Sequence, residues 1–123
     1  MPAWVLEVLI QGACIREYHL WEKDAKEYFG FHLLKCTGSQ DALKRKKNDS
    51  FVDIVRRVAA MFDIAHVENE LIAFDVMRNR VNTAKHEAGL LLGHFFDPNE
   101  YWAILDTEES FWEKIEGAES FSL

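Results

Sequence analysis

The sequence predicts an all-α protein, a four- to five-helix up-and-down bundle. Three observations predict it. Only two prolines occur, Pro2 and Pro98, and both stand where a helix begins, so none interrupts the chain between them. Period-two alternation of apolar and polar residues is sustained nowhere, which argues against half-buried strands. Apolar residues recur instead at three- and four-residue intervals over several long stretches. The 123 residues, 49% hydrophobic and 28% charged, fit a single domain, 1–123, around one core.

The first segment, Ala3–Lys35, is compatible with helix throughout. Gly12 and Gly30 are its weak points, and the spacing leaves open one long helix or two joined near Gly30. The polar stretch Thr37–Asn48 reads as a connector with room for one helical turn, and its run Lys44-Arg45-Lys46-Lys47 reads as a solvated turn. Ser50 with Asp53 three residues on predicts a capped helix start. Phe51, Val55, Val58 and Phe62 then form one apolar face, and Asp63-Ile64-Ala65-His66 ends it. A third helix, Val67–Ala88, carries the cleanest stripe: Phe74, Met77, Val81, Ala84 and Ala88. Gly89 or Gly93 is placed to end it in the left-handed conformation. The last segment, 97–117, opens on Asp97-Pro98 with Glu100 completing a cap, and Tyr101, Trp102, Leu105, Trp112 and Ile115 form its expected apolar face. A second cap signal, Asp106 with Glu109, leaves one helix or two open. Residues 118–123 read as a frayed tail.

Charge is unevenly distributed. Fourteen Lys and Arg against 21 Asp and Glu give −7, but residues 1–96 hold 13 of each sign. The acidic excess lies wholly in residues 97–123, whose one base is Lys114. This excludes a broadly basic nucleic-acid binder and leaves a local site open. Ala88–Phe96, nine residues, is the longest uncharged stretch, against about 20 needed to span a membrane. Met1–Ile15 lacks a basic leader and is broken by Glu7, so no targeting signal is read. Cys14 and Cys36 form no CxxC and read as two buried, inert thiols, which fits a cytoplasmic address. Aromatic residues make up 13%, four of them tryptophan, and serve either core filling or a subunit interface.

The densest chemistry is Arg78-Asn79-Arg80-Val81-Asn82-Thr83-Ala84-Lys85-His86-Glu87. On a helix, Arg78, Asn82 and His86 stand at i, i+4 and i+8, with Lys85 and Asp75 on the same side. A guanidinium, an amide, an ammonium and an imidazole converging there suit an anionic ligand. Imidazole can also move a proton near neutrality. The plain alternative is that a charged ridge beside an apolar stripe only meets water. Asn and Thr are poor helix-interior residues, so propensity alone did not place them there.

Arg-Asn followed about two turns later by His, on a core helix of a small all-α chain, resembles the HEPN superfamily. Those bundle proteins serve prokaryotic defence, toxin–antitoxin and RNA-processing systems, and their signature is Arg, four to six residues, then His. Arg80 and His86 fit that spacing; Arg78-Asn79 supplies the Arg-Asn dipeptide but stands seven residues from His86. The resemblance implies metal-independent endoribonuclease chemistry at a site shared by two protomers. Arg80 or Arg78 would stabilise charge on phosphoryl oxygens, His86 would move the proton, Asn82 would orient the phosphate, and Asn79 and Lys85 would help bind it. Helical geometry favours Arg78, which shares the His86 face, and family spacing favours Arg80.

The five histidines form neither a zincin motif nor a di-iron Glu-x-x-His pair, so neither metal nor cofactor is expected. The leading expectation is therefore an RNA- or nucleotide-directed homodimer, a metal-independent ribonuclease in its fullest form. A non-catalytic dimeric module that binds or regulates a protein partner is the rival, and a metal-binding helical bundle is the third reading.

Overall fold

The computed structural model describes residues 2–62, 64, 66–86 and 98–117, and all its regular structure is helical. Four α-helices follow one another: α1 (Ala3–Thr37), α2 (Phe51–Met61), α3 (Glu68–His86) and α4 (Pro98–Glu116). A single 3-10 turn, Asp41–Leu43, interrupts the α1–α2 connector. Among the described residues no helix is long and apolar enough to cross a membrane.

α1 is one unbroken helix of 35 residues. Gly30 does not bend it; the glycine makes room. A β-carbon there would come within 2.9 Å of Gln40 Nε2 and 3.5 Å of Leu43 Cδ1, so the connector lies directly over this position. Gly38, with φ of 74°, ends the helix in the left-handed conformation and donates its N–H to the Leu34 carbonyl at 2.9 Å. The connector is ordered by α2. Arg57 donates to the carbonyls of Ala42 (2.9 Å) and Lys44 (3.0 Å) and pairs with Asp49 at 2.8 Å.

α2 begins with the expected reciprocal cap. Asp53 N–H donates to Ser50 Oγ at 3.1 Å, and Ser50 N–H donates to Asp53 Oδ2 at 3.0 Å. On α3, Phe74, Met77 and Val81 are buried as the stripe requires. The expected stripe position Ala88 and the stops Gly89 and Gly93 lie outside the described residues, as do Asp97 and 118–123. α4 is a single helix, and its buried face is Ile104, Phe111 and Ile115. Of the expected face, Ile115 is buried and Tyr101 and Trp112 pack half-buried against the core, while Trp102 is 64% exposed and Ile104 and Phe111 take the inward positions. Apolar residues occupy several sides of α4, so periodicity alone could not choose among them.

Trp21 of α1 is the hub of the core. It stacks on Phe74 of α3 (centroids 3.7 Å apart, planes at 16°) and meets Phe51 of α2 and Phe111 of α4 edge-on at 5.6 and 5.5 Å. Helix directions follow from side-chain contacts. Glu70 with Lys114 and Arg80 with Glu100 set α3 and α4 antiparallel. Trp21 with Phe111 and Tyr28 with Trp112 set α1 and α4 parallel. Arg56 of α2 pairs with Glu68 at the start of α3 at 3.0 Å, while Ile54, earlier in α2, shares a hollow with Val81 near its end, so these two run antiparallel. The all-α bundle stands, but α1, α2 and α4 point one way and α3 against them. The expected up-and-down order is corrected, because the connector returns along α1 before α2 begins.

Candidate functional site

A hollow of about 340 Å³ opens where α1, the connector, α2 and α3 meet. Tyr18, His19, Glu22 and Lys26 line it from α1, Arg45 from the connector, and Arg78 and Asn82 from α3; Leu43, Phe51, Ile54 and Val81 are its apolar wall. An adjoining hollow of about 550 Å³ shares Arg45 and Arg78 and adds Lys46 and Lys47. Together they make a groove with cations from three elements. Two of its three acidic members are already engaged, and the third, Glu22, stands beside the Tyr18 phenol. Asp49 is held below the usual carboxylate range by Arg57 and then by the Lys46 N–H, and Asp53 by its bonds to Ser50.

The groove's polar groups are poised for an acceptor. Tyr18 is 1% exposed, and its buried Oη has the Glu22 carboxylate beside it as an acceptor, outside ordinary hydrogen-bond geometry. Burial, reinforced by the neighbouring Glu22, pushes that phenol upward, so it stays a neutral donor at physiological pH. Arg78 Nε makes no hydrogen bond, with Asp75 3.5 Å away, while its Nη2 donates to Asn79 Oδ1 at 3.2 Å. Arg45 Nε donates to the Asp49 carbonyl at 2.9 Å, and neither Arg45, Lys46 nor Lys47 belongs to an ion pair among the described residues. Lys26 Nζ stands 5.4 Å above the Phe51 ring.

The residues expected from the sequence are divided. Arg78 and Asn82 line the hollow together. Arg80 points elsewhere and pairs with Glu100 of α4. Asn79 is exposed and touches the site only through Arg78. The side chains of Lys85 and His86 lie outside the described residues, although both belong to α3. Reading the chain by segments missed His19, Lys26 and Arg45. The run Lys44–Lys47 is exposed, as a solvated turn requires, and Arg45 within it also lines both hollows. None of the described lining residues comes from acidic α4.

Among the described residues no three His, Cys, Asp or Glu side chains gather closely enough to hold a metal. Cys14 is buried, and burial raises its thiol pKa. Cys36 is exposed, contrary to expectation, because it follows the last buried turn of α1. Fold and site together define a small helical bundle with a basic, partly apolar hollow. No family model matches the chain, and no curated protein or solved structure matches it.

Proposed function

We propose that the chain binds a phosphate-bearing ligand of nucleotide type, free or within RNA, in the α1–α2–α3 hollow. One observation carries this reading: Arg45 and Arg78 converge from separate elements on a hollow whose wall holds the buried hydroxyl of Tyr18. Two guanidinium forks suit phosphate oxygens, Asn82 supplies an orienting amide, and the apolar wall suits a base or sugar. In its catalytic form, the HEPN-like ribonuclease reading, Arg78 stabilises charge developing on the phosphoryl group. His86, farther along α3, moves the proton; His19, on the hollow's wall, is the second imidazole to test.

Calorimetric titration with mononucleotides and with short single-stranded RNA tests the binding. Arg78→Ala and Arg45→Ala are each expected to weaken it by about tenfold or more, and added salt to weaken it further. Silence toward both ligands, or Arg80→Ala costing more than Arg78→Ala, overturns the assignment. Catalysis requires RNA cleavage that persists in EDTA and is lost in His86→Ala or His19→Ala. Intact RNA would leave a binding protein. The rival interaction module draws on exposed apolar side chains such as Phe31 and Trp102, and it gains if neither ligand binds.

A further inference from the structure

α1 is apolar on two opposite sides. Its inner face holds Cys14, Tyr18, Trp21, Ala25, Phe29 and Leu33, all buried. On the outer face Leu6, Leu9, Leu20, Phe31 and Leu34 are between 38% and 57% exposed. Ala13, Arg16, Asp24 and Glu27 complete the same stripe, Ala13 half-buried and the other three exposed.

The spacing of that stripe is a palindrome. Outward from Leu20, the positions fall at steps of four, three, four and three residues in both directions. The mean step is about 3.5 residues, the period of a left-handed two-helix seam. We infer that this face is a two-fold interface between two copies of the chain, their α1 helices antiparallel and Leu20 on the axis.

Residue identities support that one register. An antiparallel pairing centred on Leu20 sets Leu6 against Leu34 of the second copy, Leu9 against Phe31, and Leu20 against itself. Arg16 then stands beside Asp24 of the second copy, twice over by symmetry. Competing arrangements are worse. A parallel in-register pair stacks Arg16 on Arg16, Asp24 on Asp24 and Glu27 on Glu27. Slipping the antiparallel pair by one heptad sets a leucine, Leu20 or Leu6, against Glu27, which in the Leu20-centred register faces only the small Ala13. The seam from Leu6 to Leu34 is ~42 Å long at 1.5 Å per residue. Such self-complementarity in both shape and charge identifies the occupant as a second copy. The inference is independent of the ligand in the hollow, whose lining residues lie on another side of α1.

Sedimentation velocity on the full chain, with covalent trapping, tests it. The expected wild-type species at micromolar concentration is a dimer, twice 14.3 kDa. Leu20→Asp is expected to give a monomer with an unchanged helical circular dichroism spectrum. Arg16→Asp should weaken the dimer at least about tenfold, and adding Asp24→Arg should restore it. In a Cys36→Ser background, Leu20→Cys should oxidise to a covalent dimer. Leu6→Cys should not, yet it should cross-link when mixed with Leu34→Cys. The inference is overturned by a wild-type monomer, by a dimer that Leu20→Asp leaves intact, or by Leu6→Cys cross-linking to itself. Should Leu20→Asp unfold, the cysteine pairs decide.

Discussion

Glu108 of α4 meets Glu17 of α1 across the helix interface, and its Oε1 is buried without a hydrogen-bond partner. Burial, then the Glu17 carboxyl and the Asp24 charge, pushes Glu108 up to about 9 from an ordinary 4.5. A carboxyl raised in the folded state keeps its proton on folding, while the unfolded chain gives it up above 4.5. Its cost is therefore absent below pH 4.5 and grows as pH rises toward 9. At pH 7 the gap from 4.5 gives a ceiling of about 3.4 kcal/mol, at about 1.36 kcal/mol per pH unit. Because Glu108 is only half-buried and solvent screens its charge, about 1–2 kcal/mol is the working expectation. Glu108→Gln keeps the shape, removes the ionisation and offers an amide donor to Glu17. It should raise the melting temperature at pH 7 by about 3–10 °C, measured by circular dichroism. The gain should shrink as pH falls toward 4.5. A variant no more stable than wild type at pH 7, or a gain unchanged down to pH 4.5, would refute this account of the pair.

Three further perturbations follow from the packing. Trp21→Ala empties the hub shared by all four helices and should cost about 3–5 kcal/mol in urea unfolding. Ser50→Ala removes half of the reciprocal cap on α2 and should cost about 1 kcal/mol by the same measurement. Lys114→Met leaves the buried carboxylate of Glu70 without its cation, at about 1–3 kcal/mol near neutral pH. Burial pushes Glu70 upward, but Lys114 and Ser110 more than offset it, so Glu70 titrates below its ordinary 4.5. A lowered folded-state pKa stabilises above the unfolded value and stops doing so as pH falls. The gap between Lys114→Met and wild type should close in acid, and thermal melts from pH 7 to pH 3 check it.

What could be read from the chain was what local chemistry decides. The cap at Ser50 and Asp53 spans four residues and carries its own hydrogen bonds, so it was visible without tertiary context. The same holds for Phe74, Met77 and Val81, whose three- and four-residue steps set them on one side of α3. Gly30 was ambiguous, because a helix-weakening residue and a residue leaving room for a neighbour look alike in sequence. On α4 the expected face holds at Tyr101, Trp112 and Ile115 but leaves out Phe111, because only the position of Trp21 selects Phe111 over Trp102 as its inward aromatic. Arg78 and Asn82 were legible as a pair because four residues on a helix share a side. His19, Lys26 and Arg45 join them only through the return of the connector along α1, a long-range event that no local pattern encodes.

That return path gives Gly30 an importance its own chemistry lacks. The glycine lines neither hollow, and Arg45 stands fifteen positions later in the chain. Alanine there asks only the flexible end of Gln40 to move, whereas leucine would also meet Leu43 and lift the segment that delivers Arg45. A saturation screen scored by ligand capture would thus mark position 30 as intolerant of bulk, graded by side-chain volume rather than polarity. A position with no functional group would then behave as an inherited determinant of binding, and its tolerance pattern would report where the connector lies.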